Sequence, residues 1–377
     1  MTDSQFWESA DHHVAVNPHR PEDAGGLLEW ARSFSDEPLC FFQTSGSEGL
    51  AKWVALSKEA FLLSGREVNK HLQVTPQDRW LIALPLHHVG GFSILARAHL
   101  SGSSWRLDEG RWYPERFTEC CEAERITLVS LVPTQVHDLV REGLKAPRSL
   151  RAVVVGAGGM SPELAAKARG LGWPVLQSYG MTEAASQIAT QSLDGPCKPG
   201  VMQVLPHWKV RLDAEGRLVL RGPALAKGYV LRSEGEGWLW HPLGPELITR
   251  DHVRLWTEVG GRSWLEFVGR ESGFVKILGE LVHLAPLRMK LEELALRHQI
   301  SPSPWISAVP DERRGARLVL VVENEKSHQL KDAFNAVTEP LCHVSEVVQL
   351  PAIPRSSLGK VQEGALADLL TSYRLRN

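Results

Sequence analysis

The sequence predicts an α/β protein. A large N-terminal domain with a mostly parallel, helix-flanked sheet and a β-rich subdomain precedes a small α+β C-terminal domain. Three observations carry this prediction. From Leu39 to about Ser178, short apolar runs alternate with amphipathic segments, as expected for strands covered on both faces by helices. From about Trp208 to Val268, short alternating strands are separated by Gly and Pro, which indicates an antiparallel region. After Gly269-Arg270 the two patterns mix in a third regime. The expected division is residues 1–270, with an α/β core over 39–200 and a β-rich subdomain over 201–270, followed by residues 271–377.

Within the first regime the expected strands are Leu39–Gln43, Trp53–Leu56, Trp80–Leu84, Leu128–Val132, Ala152–Val155 and Val175–Gln177. The expected helices are Lys58–Leu72, Phe92–His99, Pro114–Ala123, Thr134–Arg141 and Pro162–Leu171. Ser161-Pro162-Glu163 is a strong helix start, with Pro at the first position and an acid near the positive end of the dipole. One short helix is expected around Gly26–Ala31. The second regime predicts strands Lys209–Leu212, Arg217–Arg221, Trp238–His241, Val253–Trp256 and Trp264–Val268. The third predicts helices Leu287–Arg297, Leu330–Val337 and Glu363–Tyr373 around strands Trp305–Val309, Leu318–Val322 and Glu346–Leu350.

Composition narrows the function classes. A formal net charge of -2 over 377 residues gives no general attraction to nucleic acid or an anionic membrane. No apolar run approaches the ~18 residues of a spanning helix, and Met1–Gln5 does not read as the start of a signal peptide. The cysteines at 40, 120, 121, 197 and 342 form no C-x-x-C pair, so a reducing cytoplasm is expected and a structural zinc site is not.

Four segments carry chemistry. Thr44-Ser45-Gly46-Ser47-Glu48-Gly49-Leu50-Ala51-Lys52 joins two predicted strands. Its small residues let backbone N–H groups turn inward on an anion, its hydroxyls add donors and Lys52 adds charge. It is not the Walker pattern, because Trp follows Lys52, and a plain Gly/Ser turn is the competing reading. Gly156 and Gly158 follow a strand at the end where α/β sheets bind ligands, although a short connecting loop would look the same. In Ser178-Tyr179-Gly180-Met181-Thr182-Glu183 the tyrosine offers a face to a flat base, the threonine hydroxyl reaches phosphate and the carboxylate can ligate Mg²⁺. A helix-capping acid is the competing reading of Glu183. In Leu84–Arg97, adjacent His87 and His88 point apart on an extended backbone and lack a third ligand, which argues against a metal. Arg97 lies in an otherwise apolar helix. It is either a packed rim residue or a carboxylate clamp.

Taken in order with Asp251 and Pro354-Arg355-Ser356-Ser357-Leu358-Gly359-Lys360, these segments resemble the adenylate-forming superfamily of acyl- and aryl-CoA ligases, luciferases and adenylation domains. The resemblance runs from about Leu39 to Lys360. Within the superfamily, Leu84–Arg97 and Gln177–Ile188 are most similar to the o-succinylbenzoate–CoA ligases of menaquinone synthesis. The resemblance implies ATP, Mg²⁺ and coenzyme A as partners of a small-molecule carboxylate, and it leaves room for a homodimer. It implies catalytic roles for Lys360, Thr182 and Glu183, with the metal on Glu183. ATP or AMP would contact Thr44, Ser45, Gly46, Ser47, Gly49, Lys52, Gly156, Gly158, Ser178, Tyr179, Gly180, Asp251 and Arg270. The carboxylate substrate would contact His88, Gly90, Arg97 and Ser186. The C-terminal domain would be a mobile lid hinged at Glu271-Ser272, with Gly279 lining the coenzyme A path.

The chain departs from the family pattern in places. Glu48 replaces a threonine of the phosphate loop, Thr249-Arg250-Asp251 replaces Thr-Gly-Asp, Gly273 stands where an acid is expected, and Leu278-Gly279-Glu280-Leu281 replaces Gly-Gly-Glu-Asn. Roughly a hundred residues that usually precede the phosphate loop are not found, which implies a reduced N-terminal sheet. The rival readings are another acyl-CoA ligase, an enzyme that loads a carrier protein, and a non-catalytic nucleotide-binding protein.

Overall fold

The computed structural model describes residues 4–44, 52–194, 198–233, 235, 237–270, 273–311, 313–356 and 359–374. One eleven-stranded sheet organises most of the molecule. Its first half is parallel and runs through Ser104–Leu107, Arg79–Ile82, Leu128–Leu131, Ala152–Val155 and Val175–Met181. Every residue of Leu128–Leu131 and Ala152–Val155 is buried, because helices cover both faces of a parallel sheet. These helices start on local signals. The Ser57 side chain caps Lys58–His71 through the Ala60 N–H, and Ser161 caps Pro162–Gly170 through the Leu164 N–H.

At Val175–Met181 the sheet changes character. This strand is parallel to Ala152–Val155 on one side and antiparallel to Ser186–Thr190 on the other. The sheet continues antiparallel through Val201–Val204, Ser263–Arg270, Leu247–Thr257, Arg217–Arg221 and Lys209–Leu212. The α/β architecture matches expectation, and two strand assignments need correction. Leu39–Thr44 and Lys52–Ser57 do not join the parallel sheet. They pair with each other antiparallel in a separate five-stranded sheet. Gly237–Pro242, which includes the predicted Trp238–His241, leaves the β-rich region and pairs with Gly228–Ser233 in that second sheet. Apolar runs of this length fit either sheet, and the choice depends on long-range partners that periodicity does not encode.

The segment before Leu39 is tied to this body. Lys58, only 3% exposed, donates its ammonium to the Phe6 and Ser9 carbonyls and the Ser9 hydroxyl at 2.6, 2.9 and 2.9 Å. Trp7 packs on Phe61 and Phe92, and His13–Ala15 adds a parallel strand to Leu39–Thr44.

From Phe274 onward the chain forms the hairpin Phe274–Ile277/Glu280–His283, helix Leu284–Arg297, and a three-stranded sheet of Trp305–Asp311, Gly315–Val322 and Val344–Gln349 flanked by helices Leu330–Ala336 and Glu363–Arg374. This part has its own apolar core around Leu291, Ile306, Leu320 and Phe334. It meets the larger part along one seam. Arg297 pairs with Glu163 at 2.6 Å, and Arg141 donates to the Ser301 hydroxyl at 2.7 Å. A cleft of about 670 Å³ along the seam is lined by His137, Arg141, Lys167 and Leu296 and holds none of the predicted site residues. No helix among the described residues is long and apolar enough to cross a membrane.

The parallel strands are fastened below by Asp78. Its carboxylate accepts from the Thr75 N–H, the Thr127 hydroxyl and two Arg151 nitrogens at 2.7–2.8 Å. Burial works against its charge, but the Arg151 bonds and the donors from Thr75 and Thr127 outweigh it and hold the carboxyl down at about 2. A carboxyl lowered on folding stabilises above its ordinary range near pH 4, and that contribution is lost as pH falls towards 2. Asp78→Asn is expected to reduce unfolding free energy at pH 7 by about 2–3 kcal/mol, and by roughly half as much at pH 3, where the folded carboxylate is still mostly ionised. Urea unfolding at the two pH values checks this, and an equal loss at both would remove the ionised carboxylate as the cause.

Candidate active site

The site forms where the parallel and antiparallel halves of the large sheet meet. A register shift between Tyr179 and Gly180 bends Val175–Met181 there. Gly180 passes so close to the returning strand that a Cβ would collide with the Ser186 carbonyl, so this position requires glycine. The chain then makes the short 3₁₀ turn Thr182–Ala184 and reverses through Ala185 and Ser186, at φ 48° and 104°. Two consecutive non-glycine residues at positive φ store backbone strain, which tertiary contacts must hold in place.

The turn presents Thr182 and Glu183, both partly exposed. Oε1 of Glu183 accepts from the Tyr229 hydroxyl at 3.2 Å and lies 3.6 Å from the Lys52 ammonium. That ammonium also sits 3.9 Å from the centre of the Tyr229 ring. Thr44 and Lys52 face each other in the register of their two strands, at the mouth of the predicted phosphate loop. The calls on Ser45, Gly46, Ser47, Glu48 and Gly49 lie outside the described residues, as do those on Glu271 and Ser272. A single carboxylate with an ammonium already beside it suits Mg²⁺, which binds through one or two carboxylates together with substrate phosphates. Among the described residues no group of three or more His, Cys, Asp or Glu could hold a metal alone.

A second cluster lies on the next strands. Asp251, 2% exposed, accepts from the Tyr179 hydroxyl at 2.6 Å and from Nε of Arg270 at 2.7 Å. Burial and the Asp251 charge together raise the Tyr179 phenol well above its ordinary value, so it stays a neutral donor. Burial disfavours the Arg270 charge, but Asp251 outweighs burial and raises its affinity for the proton. One face of Tyr179 stacks on Phe267, 5.7 Å between ring centres. Ser178 shares a hydrogen bond with Thr190 at 2.9 Å. Gly156 donates its N–H to Leu131, and Gly158 packs against Pro133.

Lys360 arrives from the far end of the chain on a tight turn, closed by the Ser356 N–H on its carbonyl at 2.7 Å and the Gly359 N–H on Ser356 at 2.8 Å. A Cβ on Gly359 would lie 2.9 Å from the Thr134 hydroxyl of the large part, so the turn is seated against that part. Burial lowers the proton affinity of the Lys360 ammonium and Arg270 adds to this, while Glu363 and Asp251 oppose it. The tail lysine therefore lies in electrostatic range of the Asp251 cluster. Gly279, by contrast, is at the tip of its hairpin at φ 86°, next to the exposed Leu278, with nothing within 4 Å of a built Cβ.

The third cluster is centred on Arg97, 1% exposed in helix Val89–Ser101. Its Nη2 donates to the Ser93 hydroxyl at 2.9 Å and reaches the Ser186 hydroxyl at 3.5 Å. Nε and Nη1 are buried with no partner among the described residues. Its guanidinium lies 5.6 Å from the Trp80 ring centre. Burial lowers it to about 9, still a cation at neutral pH. Buried charges without an opposite charge are rare because desolvation is costly. His88 ends the approach to this helix, and burial and His87 push it down to about 4, so it is neutral. A Cβ on Gly90 would meet only the flexible end of Leu84, whereas a Cβ on Gly91 would sit 2.6 Å from the Pro85 carbonyl. Gly91 is thus the position that needs glycine.

The fold therefore brings Lys52 to Glu183 on the Thr182–Ala184 turn, joins Tyr179, Asp251 and Arg270 in the cluster that acts on Lys360, and pairs Arg97 with Ser186. Tyr229, Ser93 and Trp80 escaped the reading of the sequence. Tyr229 reaches Glu183 only through pairing between distant strands, and the other two look like ordinary core residues.

The AMP-binding enzyme family matches residues 8–230. The 2-succinylbenzoate–CoA ligase of Bacillus subtilis (strain 168) is 27% identical, over 98% of this chain and 77% of that one. The enzyme of the same name from Bacillus pumilus (strain SAFR-032) is 30% identical over 72% of this chain and 56% of its own. The solved o-succinylbenzoate CoA synthetase of Bacillus subtilis with its acyl-adenylate intermediate superposes with a TM-score of 0.70 at 25% identity, over 88% of this chain and 68% of that one. The same enzyme with ATP and magnesium ion superposes with a TM-score of 0.70 at 26% identity, over 87% and 69%. ATP-bound MatB from Rhodopseudomonas palustris, at 20% identity and a TM-score of 0.72 over 94% and 74%, shares the fold. With more than half of its length matched, the chain belongs to the AMP-binding enzyme family, the adenylate-forming enzymes.

Proposed function

We propose that this AMP-forming acid–thiol ligase joins o-succinylbenzoate to coenzyme A, a step of menaquinone synthesis. The carrying observation is Arg97, a fully buried guanidinium with two unpartnered nitrogens beside Ser186 and the Thr182–Ala184 turn. A substrate with two carboxylates would place one at the reacting centre and give the other to Arg97. A monocarboxylate would leave that cation unpaired. The similarity to 2-succinylbenzoate–CoA ligases supports the same choice.

In the first half-reaction a substrate carboxylate oxygen attacks the α-phosphorus of ATP, and the bond to pyrophosphate breaks. Negative charge builds on the phosphate oxygens, so fixed cations and oriented donors are the main catalytic need. Lys360 bridges carboxylate and α-phosphate, Thr182 donates to that phosphate, and Lys52 with the loop 45–51 holds the departing phosphates. Asp251, oriented by Tyr179 and Arg270, accepts from the ribose hydroxyls. Glu183 holds magnesium, whose charge offsets that of the phosphates. In the second half-reaction the C-terminal part rotates about Glu271-Ser272, Lys360 withdraws and Gly279 comes to line the thiol path. The coenzyme A sulfur attacks the acyl carbon, its proton goes to solvent and AMP leaves. A homodimer is compatible with this reading, and a cytoplasmic setting suits it.

ATP–pyrophosphate exchange that depends on o-succinylbenzoate is the direct test, and exchange indifferent to it would sink the substrate assignment. Lys360→Ala is expected to reduce that exchange by about 100-fold or more, while thioester formation from supplied acyl-adenylate survives. Equal loss of both would move Lys360 out of the first step. Arg97→Ala should raise KM for the dicarboxylate by about 100-fold and spare a monocarboxylate analogue, and parallel losses would exclude a clamp. Asp251→Ala should weaken ATP binding by about tenfold or more in calorimetry, whereas unchanged affinity would leave Asp251 purely structural.

A further inference from the structure

Tyr229 has no part in the reaction scheme, yet it touches two groups that do. It lies on Gly228–Ser233, the strand that joins Lys52–Ser57 to the edge of the second sheet. Its hydroxyl donates to Oε1 of Glu183 at 3.2 Å, and its ring carries the Lys52 ammonium at 3.9 Å. The Ala226 N–H donates to the Glu183 carbonyl at 2.8 Å, so main chain and side chain tie the same two segments.

The geometry has a chemical consequence. Both the phenol and the ammonium approach Oε1 of the carboxylate that would hold the metal. The Lys52 and Glu183 side chains are 31% and 15% exposed, and a half-exposed ion pair alone holds neither group firmly. The aromatic ring gives Lys52 a second attraction that does not depend on Glu183, and the phenol gives Glu183 a partner that does not depend on Lys52.

We infer that Tyr229 is a positioning residue that lets Glu183 exchange the Lys52 ammonium for the magnesium of incoming Mg·ATP while both side chains stay in the site. This rests on the reading of Glu183 and Lys52 as metal and phosphate residues. In nucleotide-free protein Lys52 neutralises Glu183. With nucleotide present Lys52 turns to the phosphates from its seat on the ring, and the phenol keeps the carboxylate aimed.

Two variants separate the roles. Tyr229→Phe removes the hydroxyl and keeps the ring, and Tyr229→Leu removes both. Calorimetry of ATP binding with and without Mg²⁺ gives a readout independent of turnover, with melting temperature as the check on folding. In the parent protein Mg²⁺ should tighten ATP binding. Tyr229→Phe should cut that gain by about tenfold and leave metal-free ATP binding unchanged. Tyr229→Leu should in addition weaken metal-free binding by about threefold. A full Mg²⁺ gain in Tyr229→Phe overturns the proposal while leaving the roles of Glu183 and Lys52 intact. A parent protein whose ATP affinity ignores Mg²⁺ overturns the reading of Glu183, and the proposal with it.

Discussion

Asp251 is the hinge of the electrostatics. A carboxylate 2% exposed is tolerable only if its charge is answered. Here a tyrosine hydroxyl from the strand before the Thr182–Ala184 turn and a guanidinium from the end of Ser263–Arg270 answer it at 2.6 and 2.7 Å. Those two bonds tie the junction strand Val175–Met181 to two strands of the antiparallel half at one point. They also pin the end of Ser263–Arg270, where Arg270 is the register partner of Asp251. Burial acts most strongly on Lys360, and Arg270 and Asp251 of the same cluster act on it in opposite senses.

The second constraint is the change of strand direction at Val175–Met181. A parallel sheet leaves strand ends and loops along one edge, where ligands bind. Appending antiparallel strands forces a sharp reversal next to that edge, which the chain makes with Gly180 and two residues at positive φ. The strain is confined to Ala185 and Ser186, beside the buried Arg97. Backbone strain and an unanswered buried cation are each unfavourable on their own. Under the proposed function a substrate carboxylate answers that cation.

The residues ahead of Leu39 contribute packing that a pattern of strands and helices does not announce. The Lys58 ammonium gathers three oxygens of the segment Phe6–Ser9, and Trp7 and His13 lie on Phe92, the second aromatic layer of the Arg97 helix. One side of that helix is therefore packed by Trp7 and His13, and on another Arg97 reaches Ser186.

Much of the architecture was legible in the residues themselves. The buried strands Leu128–Leu131 and Ala152–Val155, the helix starting at Ser161-Pro162, and the glycine and lysine positions of the four motifs follow from short-range chemistry, which a sequence writes out directly. Glu183 was readable as a chemical group for the same reason, whereas Asp251 and Lys360 were singled out through the resemblance to a known family. Three things were decided by tertiary structure alone. The sheet that Leu39–Thr44 and Lys52–Ser57 join depends on Gly228–Ser233, far along the chain. The burial of Arg97 without a counter-charge depends on which side chains do not reach it. The contact of Tyr229 with Glu183 depends on strand register, which brings a phenol from the second sheet to a carboxylate on the turn that follows a strand of the large one. Each is a matter of contacts between distant segments, and such contacts are fixed by the packing of whole faces rather than by any local run of residues.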